Sequence, residues 1–192
     1  MAIKYRINFL LMIIAFSNIL LALAIRDVIG GRSYLVAFLT GGLPILAVLA
    51  PLIGLFLGLL DVTLSKLIVR RVDPVRIELD APLIEEVRSP YVGRGYLGVA
   101  GNWVYVLGEE SIRGVFLMLV KDAWPTPAVV AFGTLLFVIW RRLPMYLRVV
   151  KLLDDFAFTM LFLWGGLLSA WLAHALMNTY ILWPLVRYVP KK

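Results

Sequence analysis

Three long apolar runs constrain this chain more than any other feature. Ile7 to Ile25 covers 19 residues without a charged side chain, Tyr34 to Leu60 covers 27, and Phe156 to Trp183 covers 28 with His174 as its one basic residue. A hydrocarbon core about 30 Å thick takes about 20 residues of helix, so each run is long enough to cross a bilayer. Backbone groups in lipid must bond within their own structure, which leaves helices or a closed barrel. The runs far exceed the about 10 residues of a barrel strand, and an all-α, polytopic integral membrane bundle follows. Composition agrees, with 62% of residues hydrophobic and 16% charged, against roughly 45–50% and 25% in soluble domains. The 192 residues make one membrane domain with room for about five or six spans.

Cysteine is absent and His174 is the one histidine, which excludes disulfides, thiolate zinc sites, cysteine nucleophiles and multi-histidine metal or haem centres within the chain. There is no phosphate loop or dinucleotide fingerprint either, so no cofactor and no metal are expected. Glutamine is also absent and asparagine is confined to Asn8, Asn18, Asn102 and Asn178, a depletion that points to a thermophilic prokaryotic host. The net charge of +7 sits in short runs beside apolar segments, at Arg70-Arg71, Arg141-Arg142 and Lys191-Lys192. That is the pattern of cytoplasmic membrane flanks, and no lattice of stacking aromatics accompanies it, so nucleic acid is not an expected partner.

The first run follows Lys4 and Arg6 and ends in Ala22-Leu23-Ala24, a possible signal-peptide cleavage site, but its length favours an uncleaved anchor helix. In the second, Gly41-Gly42, Pro44 and Pro51 imply a kink, and Gly54 and Gly58 offer a neighbouring helix a close approach. Residues 1–60 form an N-terminal helical region and 61–95 a cytoplasmic or interfacial segment. Val62 to Val72 is apolar on one side and basic on the other, so it continues the second helix or lies on the membrane surface. Pro74, Pro82 and Pro90 then interrupt regular structure.

Tyr96 to Val120 reads as one helix with charges inside it, and Ala128 to Trp140 as another that continues past Arg141 toward Tyr146. Gly165-Gly166 divides the last run, and Asp154-Asp155 is expected to open its helix, where carboxylates suit the positive end of the dipole. Placing residues 1–6, 61–95 and 141–155 in the cytoplasm puts twelve Lys and Arg inside against six outside, so the N-terminus is expected inside. The aromatics Trp103, Tyr105, Trp140, Trp164, Trp171 and Trp183 read as interface belt or packing.

Charges inside a membrane cost about 2.5–3.5 kcal/mol each on the translocon scale, so the polar groups of residues 96–183 require an explanation. Glu109, Glu110 and Arg113 lie within one turn, with Glu109 and Arg113 at i, i+4. Phe137 precedes Arg141 by one turn, and His174 and Asn178 share a face at i, i+4. As a structural arrangement, the first group is an ion-paired belt between helices, Arg141-Arg142 a cytoplasmic flank, and His174 with Asn178 an interhelical hydrogen-bonding pair.

Taken together, Glu109-Glu110-Ser111-Ile112-Arg113-Gly114, Phe137-Val138-Ile139-Trp140-Arg141 and His174-Ala175-Leu176-Met177-Asn178 resemble the EExxxRG, FxxxH and HxxxN boxes of the CAAX-protease and bacteriocin-processing (Abi) family of intramembrane glutamate proteases. The order and separations also resemble the family's. The resemblance implies an intramembrane endopeptidase without a cofactor, in which a glutamate activates water and His174 and Asn178 donate hydrogen bonds to the oxyanion. It departs from the family in two places. The first box is one residue short before Arg113, and the second ends in Arg141, which stays protonated and cannot shuttle a proton as the family's histidine would.

Two functions therefore stand side by side: an intramembrane protease fold, active or degenerate, acting on a membrane-associated peptide or protein, and a non-enzymatic polytopic subunit, such as a transporter component, contacting partner membrane subunits. Both live among membrane lipids. In the first, Glu109 or Glu110, Arg141, His174 and Asn178 converge around a water-accessible cavity open to the membrane or the cytoplasm; in the second they disperse, and some of them face lipid headgroups or another chain.

Overall fold

The computed structural model describes residues 2–30, 33–72, 95–140 and 145–186. The described residues form an all-α bundle of six helices: α1 (Ala2–Gly30), α2 (Tyr34–Thr40), α3 (Ile45–Val72), α4 (Gly95–Val120), α5 (Thr126–Trp140) and α6 (Met145–Val186). Three stretches have both the length and the apolar composition to cross a membrane: Ile13–Gly30, Tyr34–Arg71 and Met145–Trp183. Helix α4 has the length as well, at 26 residues, but carries Glu109, Glu110 and Arg113.

The end of α1 caps the start of α2: both oxygens of the Asp27 carboxylate accept from the backbone N–H groups of Tyr34 and Leu35, satisfying donors that a helix start leaves orphaned. The kink expected in the second run is a complete break. Gly41 adopts φ 59° and ψ −157°, a region that only glycine enters without strain, and α3 begins four residues later.

α6 contains an equivalent break. Its 42 residues are divided at Gly166, with φ 68° and ψ −172°, into arms of residues 145–165 and 167–186. The rings of Phe158 and His174 stack with centroids 4.3 Å apart, although 16 residues of straight helix would separate them by about 24 Å. The two arms therefore fold back beside each other.

The breaks lock together. A Cβ on Gly41 would lie 2.5 Å from the nitrogen of Gly166, and a Cβ on Gly166 would lie 2.5 Å from the nitrogen of Gly41. The carbonyl of Trp164, released from the helical ladder by the bend, accepts from Gly42 N–H at 2.9 Å and Leu43 N–H at 2.8 Å. Buried backbone groups need such partners, and here each break supplies the other's. Phe38 and Phe162 close the junction in an edge-to-face pair at 5.5 Å.

From the crossing, α3 runs along the second arm of α6. An added Cβ at Gly54 would strike the Ala173 backbone, and one at Gly58 would meet the Tyr180 ring at 3.0 Å, so these two positions do admit a neighbouring helix. The apolar core, including Phe38, Leu117, Phe158, Phe162 and Leu167, gathers around the crossing. The polar residues described next lie farther down the arms, His174 being eight residues, or about 12 Å of helix, from Gly166.

The helix of the second run extends to Val72, so residues 61–72 of the expected aqueous segment are α-helical. Asp61 within them is 6% exposed. The prolines at 74, 82 and 90 lie outside the described residues.

Candidate functional site: a buried Glu-His-Arg-Asp cluster

Helix α4 turns Asn102, Val106, Glu110, Arg113 and Leu117 inward, all buried. Their spacings of four, four, three and four residues follow one helical face. Opposite stand Asp155, Phe158 and Thr159 from the first arm of α6 and His174 from the second. The fold-back at Gly166 brings groups from both arms against the same stretch of α4.

Glu110 Oε1 lies 2.7 Å from His174 Nδ1, a contact between residues 64 apart in sequence. Glu110 Oε2 lies 3.2 Å from Arg113 Nε. Arg113 Nη2 donates to Asp155 Oδ1 at 2.6 Å, and Nη1 donates to the Asp155 carbonyl at 2.9 Å and to Thr159 Oγ1 at 3.3 Å. Thr159 in turn donates to the Asp155 carbonyl at 2.7 Å. Arg113 and Glu110 are completely enclosed. The guanidinium carbon lies 4.4 Å from the Phe137 ring centroid, and a delocalised planar cation on an aromatic face is favourable when desolvated.

Two carboxylates face one guanidinium, so the cluster is electrically neutral when one further proton resides on it. The Glu110 to His174 contact is where such a proton can be shared. The geometry thus places a carboxylate and an imidazole, two groups that general acid–base chemistry uses, within hydrogen-bonding distance of each other.

A second polar layer lies one helical turn from His174. Asn178 Nδ2 donates to Asn102 Oδ1 at a long 3.5 Å, while Asn102 Nδ2 is buried without a hydrogen-bond partner among the described residues. Trp103 and Trp171 frame this layer edge-to-face at 5.7 Å. Trp103 Nε1 donates to Thr179 Oγ1 and Trp171 Nε1 to the Trp103 carbonyl, both at 2.9 Å. These two tryptophans are packing residues.

Of the residues singled out in the sequence, Glu110, Arg113 and His174 meet directly, and Asn178 lies one turn from His174, against Asn102. Glu109 is partly buried beside the cluster, and Arg141 lies outside the described residues. The expected Glu109 to Arg113 pairing is replaced by Glu110 to Arg113, because His174 and Asp155 face the Glu110 side of α4. Asp154-Asp155 does not open a helix: α6 begins at Met145, and both carboxylates are used as ion-pair partners well inside it. Asp155 and Asn102 were not anticipated as site residues. For Asp155, the signal available was a carboxylate with Thr159 at i+4 bordering an apolar run.

Asp154 belongs to a separate cluster, where Lys151 Nζ lies 2.6 Å from Asp61 Oδ2 and 3.3 Å from Asp154 Oδ2. Ser65 Oγ donates to Asp61 Oδ1 at 3.0 Å. This triad ties α3 to the first arm of α6. Among the described residues, no group of three or more His, Asp and Glu side chains is placed to hold a metal ion. Compared with known proteins, the chain matches no family model, no curated protein and no solved structure; what stands is an all-α membrane protein with a buried Glu-His-Arg-Asp centre.

Proposed function

We propose that this protein is an intramembrane peptide hydrolase resembling the CAAX-protease family, in which Glu110 activates water and His174 shares its proton. The observation that carries the reading is the 2.7 Å contact between Glu110 and His174, residues of the first and third boxes, inside an enclosed part of the bundle. Glu110 takes the proton of a water directed at a peptide carbonyl and, with His174, returns it to the leaving amine. The carboxamides of Asn178 and Asn102, one turn from His174, are the donors assigned to the oxyanion, and each well-placed donor of that kind is worth about 3–4 kcal/mol. Arg113 positions Glu110 against Asp155. The substrate is a membrane-associated peptide, and the N-terminus lies in the cytoplasm.

A second reading, a non-enzymatic membrane subunit, is favoured by the two ion pairs of Arg113, to Glu110 and to Asp155. A guanidinium clamped between two carboxylates joins α4 to α6 without needing any substrate.

The deciding experiment presents the protein, reconstituted in liposomes, with a library of quenched-fluorescent transmembrane peptides. Cleavage that falls at least 100-fold in both Glu110→Gln and His174→Ala is expected. Absence of cleavage across the library, or cleavage unchanged in Glu110→Gln, overturns the hydrolase reading in favour of the subunit.

A further inference from the structure

A cavity of about 440 Å³ opens on the far side of the glycine crossing from the buried cluster, between the C-terminal ends of α1 and α4 and the short helix α2. Its size falls in the range of small-ligand pockets, about 300–1,000 Å³. The inner walls are apolar, formed by Leu23, Phe38, Val115 and Met118, and its mouth carries Arg26, Lys121, Ser33 and Asp122. Leu119 also lines it and is 70% exposed, so the mouth is continuous with apolar surface that faces lipid.

The charges at the mouth are unbalanced. Arg26 and Lys121 line it with one carboxylate, Asp122, whereas Asp27, next in sequence to Arg26, is turned to the Tyr34 and Leu35 N–H groups and is not among the lining residues. Neither cation forms an ion pair with a carboxylate among the described residues. Arg26 is also held in position, its guanidinium carbon 4.0 Å from the Tyr34 ring centroid, so little rotamer freedom remains to be lost when an anion binds. Trp124, 44% exposed just beyond Lys121, marks the level where amphipathic rings sit between headgroups and tails.

We infer that this cavity binds an anionic phospholipid, its phosphate between Arg26 and Lys121 and one acyl chain along Leu23, Phe38 and Met118. An apolar slot whose mouth carries two cations and one carboxylate, one net positive charge, matches an amphiphile with a net negative head. The site lies at the opposite end of α4 from Asn102 and does not depend on the hydrolase reading.

The test is native mass spectrometry of the detergent-purified protein with equimolar phosphatidylglycerol and phosphatidylcholine. At least tenfold preferential retention of phosphatidylglycerol is expected. Arg26→Ala combined with Lys121→Ala removes the preference, and Val115→Trp, which fills the chain slot and leaves both cations, lowers retention of the same lipid at least tenfold. Both substituted cations are exposed, and an unchanged thermal midpoint verifies that the double variant is folded. Equal retention of the two lipids by the unaltered protein, or a preference that survives the double substitution, overturns the inference. So does displacement of phosphatidylglycerol by millimolar inorganic phosphate, which would make the mouth a site for free anions.

Discussion

Arg113 is the residue on which the polar interior depends. It reaches Glu110 on its own helix and Asp155 on α6, and a lysine, whose compact ammonium lacks the planar fork, does not reproduce this set of contacts together with those to the Asp155 carbonyl and Thr159. Removing one member of a buried ion pair costs about 3–5 kcal/mol, since the partner charge remains enclosed without compensation. Arg113→Met is therefore expected to destabilise the protein by at least about 3 kcal/mol, read as the loss of folded protein in a detergent-denaturation titration. Arg113→Lys should recover part of this, whereas Arg148→Met, on a partly exposed residue of α6, should cost less than Arg113→Met. Equal losses in the Arg113→Met and Arg148→Met proteins would mean that the cluster carries no special share of the stability.

Among the elements, the two broken helices do most to set the architecture. Gly41 and Gly166 both occupy the left-handed half of backbone space, and each leaves no room for a side chain on the other. A residue with a Cβ pays about 1–3 kcal/mol for such a conformation, positive φ with extended ψ, and overlap with the facing backbone adds to that. Gly166→Ala is expected to lower stability by more than about 2 kcal/mol, read in a detergent-denaturation titration, whereas Gly42→Ala, where an added Cβ meets nothing within 4 Å, should be close to neutral in the same titration. Sensitivity at both positions alike would mean that general helix flexibility, not the crossing, is what the glycines provide.

The extent to which these elements are legible in the sequence follows from the range of the forces that define them. Apolar run length defines α1, α3 and α6, and reading residues 96–120 as one helix despite three charges is correct for α4. The presence of breaks near Gly41 and Gly165-Gly166 is visible too, and the runs contain a repeated cue, Phe38-Leu39-Thr40-Gly41-Gly42-Leu43 and Phe162-Leu163-Trp164-Gly165-Gly166-Leu167. Periodicity does not show that the two breaks touch, since their contact is between segments more than 120 residues apart. The same holds within the site. Glu110, Arg113 and His174 stand out as charged or titratable groups in apolar surroundings, but Asp155 resembles a helix-opening carboxylate until the fold-back of α6 places it opposite Arg113.

At the scale of the whole molecule, the fold-back makes a statement about topology that hydropathy alone does not. Met145 and Trp183 are at the far ends of the two arms of α6, about 32 Å and about 26 Å of helix from Gly166, and the arms lie side by side, so both ends belong on one side of the membrane. The link between α4 and α5, around Ala123, belongs on the other, because α4 runs from Tyr96, whose ring is 6.3 Å from that of Trp183, up past the crossing at Gly114, where an added Cβ would strike Phe162 and Phe38. The chain contains no cysteine, so a single introduced thiol is a unique label. With protein in sealed, right-side-out vesicles, an impermeant maleimide should modify Ala123→Cys and leave Met145→Cys and Trp183→Cys untouched until the membrane is permeabilised, or show the reverse if the orientation is opposite. Labelling of Met145→Cys and Trp183→Cys from opposite sides would mean that α6 crosses as one continuous helix, and the apposition of Asp155, Arg113 and His174 that the candidate site rests on would fall with it.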